Sequence, residues 1–402
     1  MQGLKTIMSA LSQLVKKYSR YIIYASSISI GRLSEYAVLF FAAYYLSKED
    51  YGQLEFYKKA IELLSVGVAF GLPSFLFSYT KNSQNRTYLT LLSFGFIFFF
   101  SISLLPVFSV FQIEQLLIPA FFHAAFFTNG VLPVFIITHF GSKKASLYKT
   151  ISTVIFNGVV FILILFTQNP SHAFIYVNYF LLAPSLVLLW LIFRNSNIVW
   201  NKTRKYFTLF KKQLLNSLTL VISNFSNMMF LYVDIMLLKL LSNNPNIEIA
   251  NYSFALNITT MLMLVPFTFV QVDIERIKKV NAITDRAKKI LMATVLLMVV
   301  ITLVYVVLIN TYYTSYSSTV YIFGILLVAK LFQSQSVLYG AIILIKRKFK
   351  LNLNVNLSML IFNIILSYTL YFYLGILGLA IASLISLVVR YIILQQLSKK
   401  LF

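Results

Sequence analysis

Arg32 and Glu35 stand three positions apart near the middle of the first long apolar stretch, residues 21–46. A helix of that length can cross a ~30 Å hydrocarbon core, where a central charge costs on the order of 2.5–3.5 kcal/mol. A guanidinium can hold phosphate oxygens through two hydrogen bonds. We therefore expect Arg32 to line a wet, cationic cavity between two bundles of helices, through which an anionic molecule moves. The alternative is that Arg32 and Glu35 pair with each other and are structural.

Other basic residues also fall inside apolar stretches. Lys330 lies midway along its stretch with Gln333 on the same face, so we expect both to contact the same anion, although a snorkelling lysine is the alternative. Lys239 lies two residues from the end of its stretch, which favours snorkelling to the membrane surface, and it is kept as a further candidate contact. Arg390 is interpreted as an anchor at the cytoplasmic interface.

Two later stretches carry polar stripes at helical spacing. Side chains of this kind can line a path for sugars or can join helices, at about 0.6–2 kcal/mol each, and the sequence leaves both open. Asn224 and Asn227 are the candidate sugar contacts. The stripes comprise Asn216, Ser223, Asn224, Asn227 and Asp234 in the seventh stretch and Asn352, Asn356, Asn363 and Ser367 in the eleventh.

Asp234 and Glu35 are the carboxylates that could bind H⁺ or Na⁺ and so couple transport to an ion gradient. For Asp234, a purely structural role is an equal alternative. No cofactor beyond such an ion is expected. The chain has no cysteine, and its three histidines lack the spacing of metal ligands, so neither a metal site nor a catalytic site is predicted.

These residues must be positioned by helices in a membrane. Of the 402 residues, 59% are hydrophobic and 11% are charged, whereas soluble domains average about 45–50% and about 25%. In lipid, a helix satisfies the hydrogen-bonding groups of its own backbone. We therefore predict an all-α integral membrane protein of about twelve transmembrane helices in two six-helix lobes with a central cavity. The spans are 21–46, 56–80, 87–110, 116–140, 146–166, 172–193, 213–241, 248–272, 288–310, 318–345, 351–373 and 376–397.

Most of the 34 basic residues lie in the even-numbered connections and near the termini, which predicts that both termini are cytoplasmic. The net charge of +23 therefore does not indicate nucleic-acid binding. We predict an amphipathic helix on the membrane surface over 1–19, a first lobe over 20–194, a cytoplasmic linker over 195–212 and a second lobe over 213–402.

The stretch from Leu46 to Thr80 resembles the Wzx-type polysaccharide flippases. It carries Tyr51-Gly52 in the turn after helix 1 and Gly71-Leu72-Pro73 late in helix 2. The resemblance continues over Tyr232 to Pro266, where the aspartate of helix 7 is followed by the entry to helix 8, and near the end over Asn363 and Tyr373 to Ser386. Asn251 stands where the family usually has glycine.

The resemblance implies alternating access in the bacterial inner membrane. It implies as cargo an undecaprenyl-pyrophosphate-linked oligosaccharide, such as an O-antigen or capsule repeat unit, that moves to the periplasmic leaflet. Membrane lipids and a polysaccharide polymerase are the candidate partners. The alternative is a cation-coupled exporter of small molecules or drugs from the same superfamily, although Arg32 and Lys330 favour an anionic cargo. A membrane enzyme such as a polymerase or ligase is not expected, because no long external loop is present.

Overall fold

Apolar stretches of the sequence form helices along the whole described chain. A computed structural model describes residues 30–78, 83–110, 113–127, 130–194, 203–272, 283–346 and 348–400. The helices are α1 (30–45), α2 (Lys48–Ala69), α3 (Leu72–Ser78), α4 (Ser83–Ser103), α5 (Leu105–Val110), α6 (Leu117–Ala125), α7 (Val131–Phe140), α8 (Ser142–Phe166), α9 (Ala173–Phe193), α10 (Thr203–Leu241), α11 (Pro245–Thr260), α12 (Leu264–Val272), α13 (Ile283–Thr311), α14 (Val320–Ile345), α15 (Phe349–Leu374) and α16 (Ile376–Lys399).

Together these helices make twelve membrane passes. Within the described residues, nine segments are long and apolar enough to cross a bilayer as they stand. Helix α1, the pair α2 and α3, and the pair α6 and α7 supply the other three. The expected surface helix over 1–19 lies outside the described residues.

Three passes are broken near their middle, and each second half carries a proline in its first turn. Pro73 opens α3 after Phe70 and Gly71, both of which have positive φ. Pro133 lies at the start of α7, and Pro266 at the start of α12 after the 3-10 turn Met261–Met263. The first turn of a helix tolerates proline, because a backbone N–H at that position would have no acceptor within the helix. Each of these prolines therefore lies just after a break between two half-helices.

Helices α1–α9 pack mainly with one another, as do α10–α16, and the two groups meet along α2. Helix α2 packs against α10 and α11, while α10 also reaches α3 and α4. The start of α10 differs from expectation: it begins at Thr203, and its first turns rest on the first lobe through Phe210 against Phe75 and Phe96. Thr203 and Phe210 were part of the predicted linker over 195–212.

The second pass also begins earlier than predicted, at Lys48 rather than near residue 56. Ser47 caps α2, because its hydroxyl accepts a hydrogen bond from the N–H of Asp50 at 3.1 Å. The early start moves Lys58 and Lys59 from the membrane edge to the middle of a buried helix.

The two lobes are in close contact at one end of the bundle. We call the end at which Arg194 and Thr203 lie the linker end, and the end that holds the α1–α2 and α10–α11 connections the opposite end. At the opposite end α2 and α11 touch backbone to backbone, since a Cβ on Gly52 would lie 1.7 Å from the carbonyl oxygen of Asn246. Lys48 also donates to the carbonyl of Ser315 at 2.6 Å. The lobes are closed together at this end.

Candidate functional site

Arg32 and Glu35 do pair, as the structural alternative supposed. The Nη1 of Arg32 lies 2.8 Å from Oε2 of Glu35, and the Nζ of Lys58 lies 2.6 Å from Oε1 of the same carboxylate. Two cations thus share one carboxylate, so Arg32, Glu35 and Lys58 together carry a net positive charge. The Arg32 side chain remains 49% exposed, so it is paired but still open to a second ligand.

Lys58 and Lys59 are buried charges on α2 that sequence reasoning missed, and Lys59 lies on a face of the helix that carries further charges. Glu55, Lys59 and Glu62 recur at helical spacing and face the second lobe. Glu55 accepts a hydrogen bond from Asn257, and Glu62 accepts one from Tyr232. The helical spacing of these charges could have identified the face. It was overlooked because the span was predicted to begin near residue 56, which placed these residues at the end of the helix.

Lys59 and Lys330 approach each other from the two lobes. Each side chain is 7% exposed. The ammonium of Lys59 lies 5.1 Å from the centre of the Tyr232 ring, and that of Lys330 donates to Oε1 of Gln333 at 2.8 Å. The two ammonium groups repel each other, while Asp234 attracts Lys330. In the described part of the chain neither lysine has a carboxylate within ion-pair distance.

Asp234 is buried inside the second lobe and is held by hydroxyl groups. Its Oδ1 accepts from Ser367 at 3.0 Å, and its Oδ2 accepts from Ser383 at 2.5 Å and from Tyr252. Beside it lies a space of about 20 Å³ that Lys330 and Gln333 also line. Asp234 and the predicted pair Lys330 and Gln333 therefore share one small site, whereas Glu35 lies apart on the first lobe.

The two polar stripes face each other and join α10 to α15. Residues 133 positions apart are bonded at three levels: Ser223 with Asn356, the carbonyl of Phe230 with Asn363, and Asp234 with Ser367. A constant separation means that the helices run parallel and side by side. The stripes therefore act as helix–helix contacts at these residues.

The two asparagines predicted to contact sugars, Asn224 and Asn227, lie in different surroundings. Asn227 accepts from Arg390 at 2.6 Å, so it is engaged within the lobe, whereas Asn224 is exposed. Arg390 was expected at the membrane interface, and that prediction is wrong: it points inward, bonds Asn356 at 3.0 Å and stacks on Phe230. The amide oxygens of Asn227 on α10 and Asn356 on α15 explain the change, since both accept from Nη2 of the guanidinium.

Lys239 is partly exposed near the opposite end, the end to which it was predicted to snorkel. Its ammonium donates to Oδ1 of Asn246 at 3.0 Å and lies 5.1 Å from the ring centre of Phe56 on the first lobe. It closes the opposite end of the lobe boundary and lies apart from Lys330.

A second cavity lies between the lobes and is apolar. It is an open hollow of about 180 Å³ beside the break at Phe70, and its lining residues on the two lobes include Gly67, Phe100 and Phe225. Both cavities are small beside a lipid-linked oligosaccharide, so any cargo of that size requires the lobes to separate.

The same fold occurs in solved transporter structures. An outward-facing multidrug resistance MATE family transporter of the MOP superfamily superposes with a TM-score of 0.60 at 14% identity, over 95% of this chain and 94% of the other. An inward-facing one gives 0.58 at 16% identity over 92% and 94%. A eukaryotic MATE transporter gives 0.59 at 14% identity, over 95% of each chain.

No protein-family model matches the sequence, and comparison with curated proteins finds no match. The structural likeness defines the fold: twelve transmembrane helices in two lobes, as in MATE transporters. The predicted fold class is confirmed.

Proposed function

We propose that this chain is an ion-coupled exporter that works by alternating access and that its cargo carries an anionic group. The cargo we favour is an undecaprenyl-pyrophosphate-linked oligosaccharide, moved from the cytoplasmic to the periplasmic leaflet. The observation that carries the proposal is the pair Lys59 and Lys330, one on each lobe, both buried and without a carboxylate within ion-pair distance in the described residues.

Two buried ammonium groups without an ion-pair partner among the described residues are costly, because each loses hydration and they repel each other. A pyrophosphate between them would replace the repulsion with two charge-assisted contacts. Such a ligand binds best when both lysines are near, so it prefers one arrangement of the lobes over others. That preference is what a cargo needs in order to shift a conformational equilibrium.

The test removes each charge while keeping the aliphatic chain. Lys59→Met and Lys330→Met should each lower flipping of a lipid-linked oligosaccharide in proteoliposomes by about tenfold or more, since a bond to a charged group contributes ~1.5–3 kcal/mol. The matched control is Lys350→Met at an exposed position on α15. Full transport in both variants, at wild-type protein level, would reject the anion site.

A second candidate is a cation-coupled exporter of small cationic molecules. It is favoured by Asp234, a buried carboxylate held by hydroxyls, and by solved relatives that are described as multidrug transporters. In this case Asp234→Asn would abolish efflux of a cationic dye, whereas Lys330→Met would leave it intact. No efflux of the dye by the wild type, together with loss of oligosaccharide flipping in Lys330→Met, supports the first candidate.

A further inference from the structure

The open apolar hollow of about 180 Å³ lies where α2, α4 and α5 of the first lobe meet α10 of the second, and the proposed anion site does not use it. Its wall on α2 ends at Phe70, which stands in the left-handed region with a φ of 48°. Bulky side chains rarely adopt this conformation, because the Cβ crowds the following carbonyl. The ring of Phe70 is held there by Phe96 and Phe100, each 5.5 Å away between ring centres. The hollow therefore has a wall of packed aromatic rings at the break of the second pass.

The chemistry of the hollow selects a hydrocarbon. Its lining consists of leucine, valine, phenylalanine and glycine residues. Apolar cavities of about 150 Å³ stay dry and take up molecules such as benzene. A hydrocarbon segment in the hollow would supply the dispersion contacts that the lining side chains lack, whereas a sugar or a phosphate would lose its hydration there without compensation.

The hollow is open beside side chains that face the lipid. On α4, Phe99 is exposed next to the lining residue Phe100, and on α10, Ile222 is exposed next to the lining residue Val221. Large apolar side chains on the outer surface of a membrane-spanning helix face the lipid. A hydrocarbon chain can therefore extend from the lipid into the hollow between the two lobes.

The hollow also lies on the same lobe boundary as Lys59. Gly67 follows Lys59 by eight residues on α2, a rise of about 12 Å. On α10, Phe225 precedes Tyr232 by seven residues, which places both rings on one face of that helix. The ring of Tyr232 lies 5.1 Å from the ammonium of Lys59, and the ring of Phe225 lies 3.8 Å from the position of a Cβ on Gly67. A buried cation and a hydrocarbon site thus follow one another along the contact between α2 and α10.

We propose that the hollow binds part of the isoprenoid chain of the cargo while the phosphate lies at Lys59 and Lys330. This inference rests on the proposed function and adds to it a site for the lipid half of the substrate. A phospholipid of the membrane is excluded as the occupant, because its phosphate stays at the membrane surface while Lys59 lies in the middle of α2. The boundary recognises an amphiphile by charge at one point and by hydrocarbon about 12 Å further along α2.

The test records contact with the chain directly, in the full-length protein in liposomes of phosphatidylethanolamine. The photoreactive residue p-benzoylphenylalanine replaces Phe100, which lines the hollow, or its neighbour Phe99, which is 70% exposed. The probe is radiolabelled undecaprenyl phosphate, and covalent labelling of the protein after illumination is the readout. We expect stronger labelling at position 100 than at position 99.

Competition distinguishes the isoprenoid chain from ordinary lipid. Excess unlabelled undecaprenyl phosphate should remove the labelling at position 100. Dioleoyl phosphatidic acid should leave it unchanged, because two chains are joined next to its phosphate and the second chain has no site in the boundary.

Substitution of Gly67 fills the hollow from inside. Gly67→Leu places a branched apolar side chain in it, and we expect labelling at position 100 to fall by about tenfold or more, because burial of several apolar carbons of the chain is lost. Gly67→Ala adds only a methyl group at an ordinary 3.8 Å contact with Phe225, so it folds like wild type and should lower labelling less. The matched control is Gly158→Leu on α8, where nothing lies within 4 Å of a Cβ and labelling should equal that of wild type.

Wild-type labelling in both Gly67 variants, or equal competition by phosphatidic acid, would overturn the chain site. The lysine variants separate that result from the proposed function. If Lys59→Met and Lys330→Met label like wild type while Gly67→Leu does not, the hollow holds an isoprenoid chain and the anion site is rejected. If both lysine variants lose flipping while Gly67→Leu labels fully, the anion site stands and the chain site is wrong.

Discussion

A single carboxylate, Asp234, accepts hydrogen bonds from Ser367, Ser383 and Tyr252, which come from three different helices. Removing one donor leaves a buried acceptor less satisfied. We predict that Tyr252→Phe lowers the free energy of unfolding by about 1.5–3 kcal/mol, the usual range for a bond to a charged group. Reversible unfolding in mixed micelles measures the change.

The control for this prediction is Tyr321→Phe, which removes a hydroxyl from a residue that is 75% exposed. It should change the free energy of unfolding by less than about 0.5 kcal/mol. Equal effects in the two variants would mean that the hydroxyl of Tyr252 contributes nothing to the stability of the second lobe.

The sequence identifies Asp234 and Lys330 as buried polar residues because each interrupts an apolar run. It does not identify their partners, since Asp234 and Ser383 are 149 positions apart and meet only through packing. Lys58 and Lys59 were missed for a different reason. Polar residues near a helix start make the start hard to locate, and an error of about two turns moved them from the interior to the surface.

At the scale of elements, α10 and α15 are joined along their length by polar side chains. Ser223 accepts from Asn356 at 2.9 Å and from Asn352 at 2.8 Å. We predict a coupling of about 0.6–2 kcal/mol between Ser223→Ala and Asn356→Leu in a double-mutant cycle on the free energy of unfolding, the range for such bonds in membranes.

A distant pair provides the comparison. Asn157 bonds Ser34 inside the first lobe at 3.0 Å, so Ser223→Ala and Asn157→Leu share no partner and should add within about 0.3–0.5 kcal/mol. If Ser223 and Asn356 also prove additive, the polar stripes do not join these helices energetically, and a role along the transport path regains support.

Both stripes could be predicted from helical spacing, but their role could not. Either stripe alone fits a cavity wall as well as a helix contact, because spacing shows which residues share a face and not what the face meets. The constant separation of 133 between bonded residues resolves this for α10 and α15. The proline bends were predictable, because the effect of proline on a helix is local.

At the scale of the whole molecule, the division into two sets of six passes follows from the count of apolar stretches. Which helices meet across the division does not follow, since it depends on the approach of α2 to α11. That approach is permitted by Gly52, which the sequence marks only as part of a turn motif. The residue lies instead inside α2, in contact with the backbone of the other lobe.

Alternating access requires that the opposite end close, and Gly52 offers a direct test of that requirement. In Gly52→Ala the new Cβ would lie 1.7 Å from the carbonyl oxygen of Asn246, so α2 and α11 must move apart. We predict that the distance between spin labels at Tyr45→Cys and Asn243→Cys, two exposed positions at the opposite end, lengthens and that transport falls to background. Gly95→Ala is the matched control, because nothing lies within 4 Å of its Cβ, and the change should stabilise α4 by about 0.5–1 kcal/mol. A Gly52→Ala protein with wild-type distances and wild-type flipping would show that closure along α2 and α11 is not part of the transport cycle.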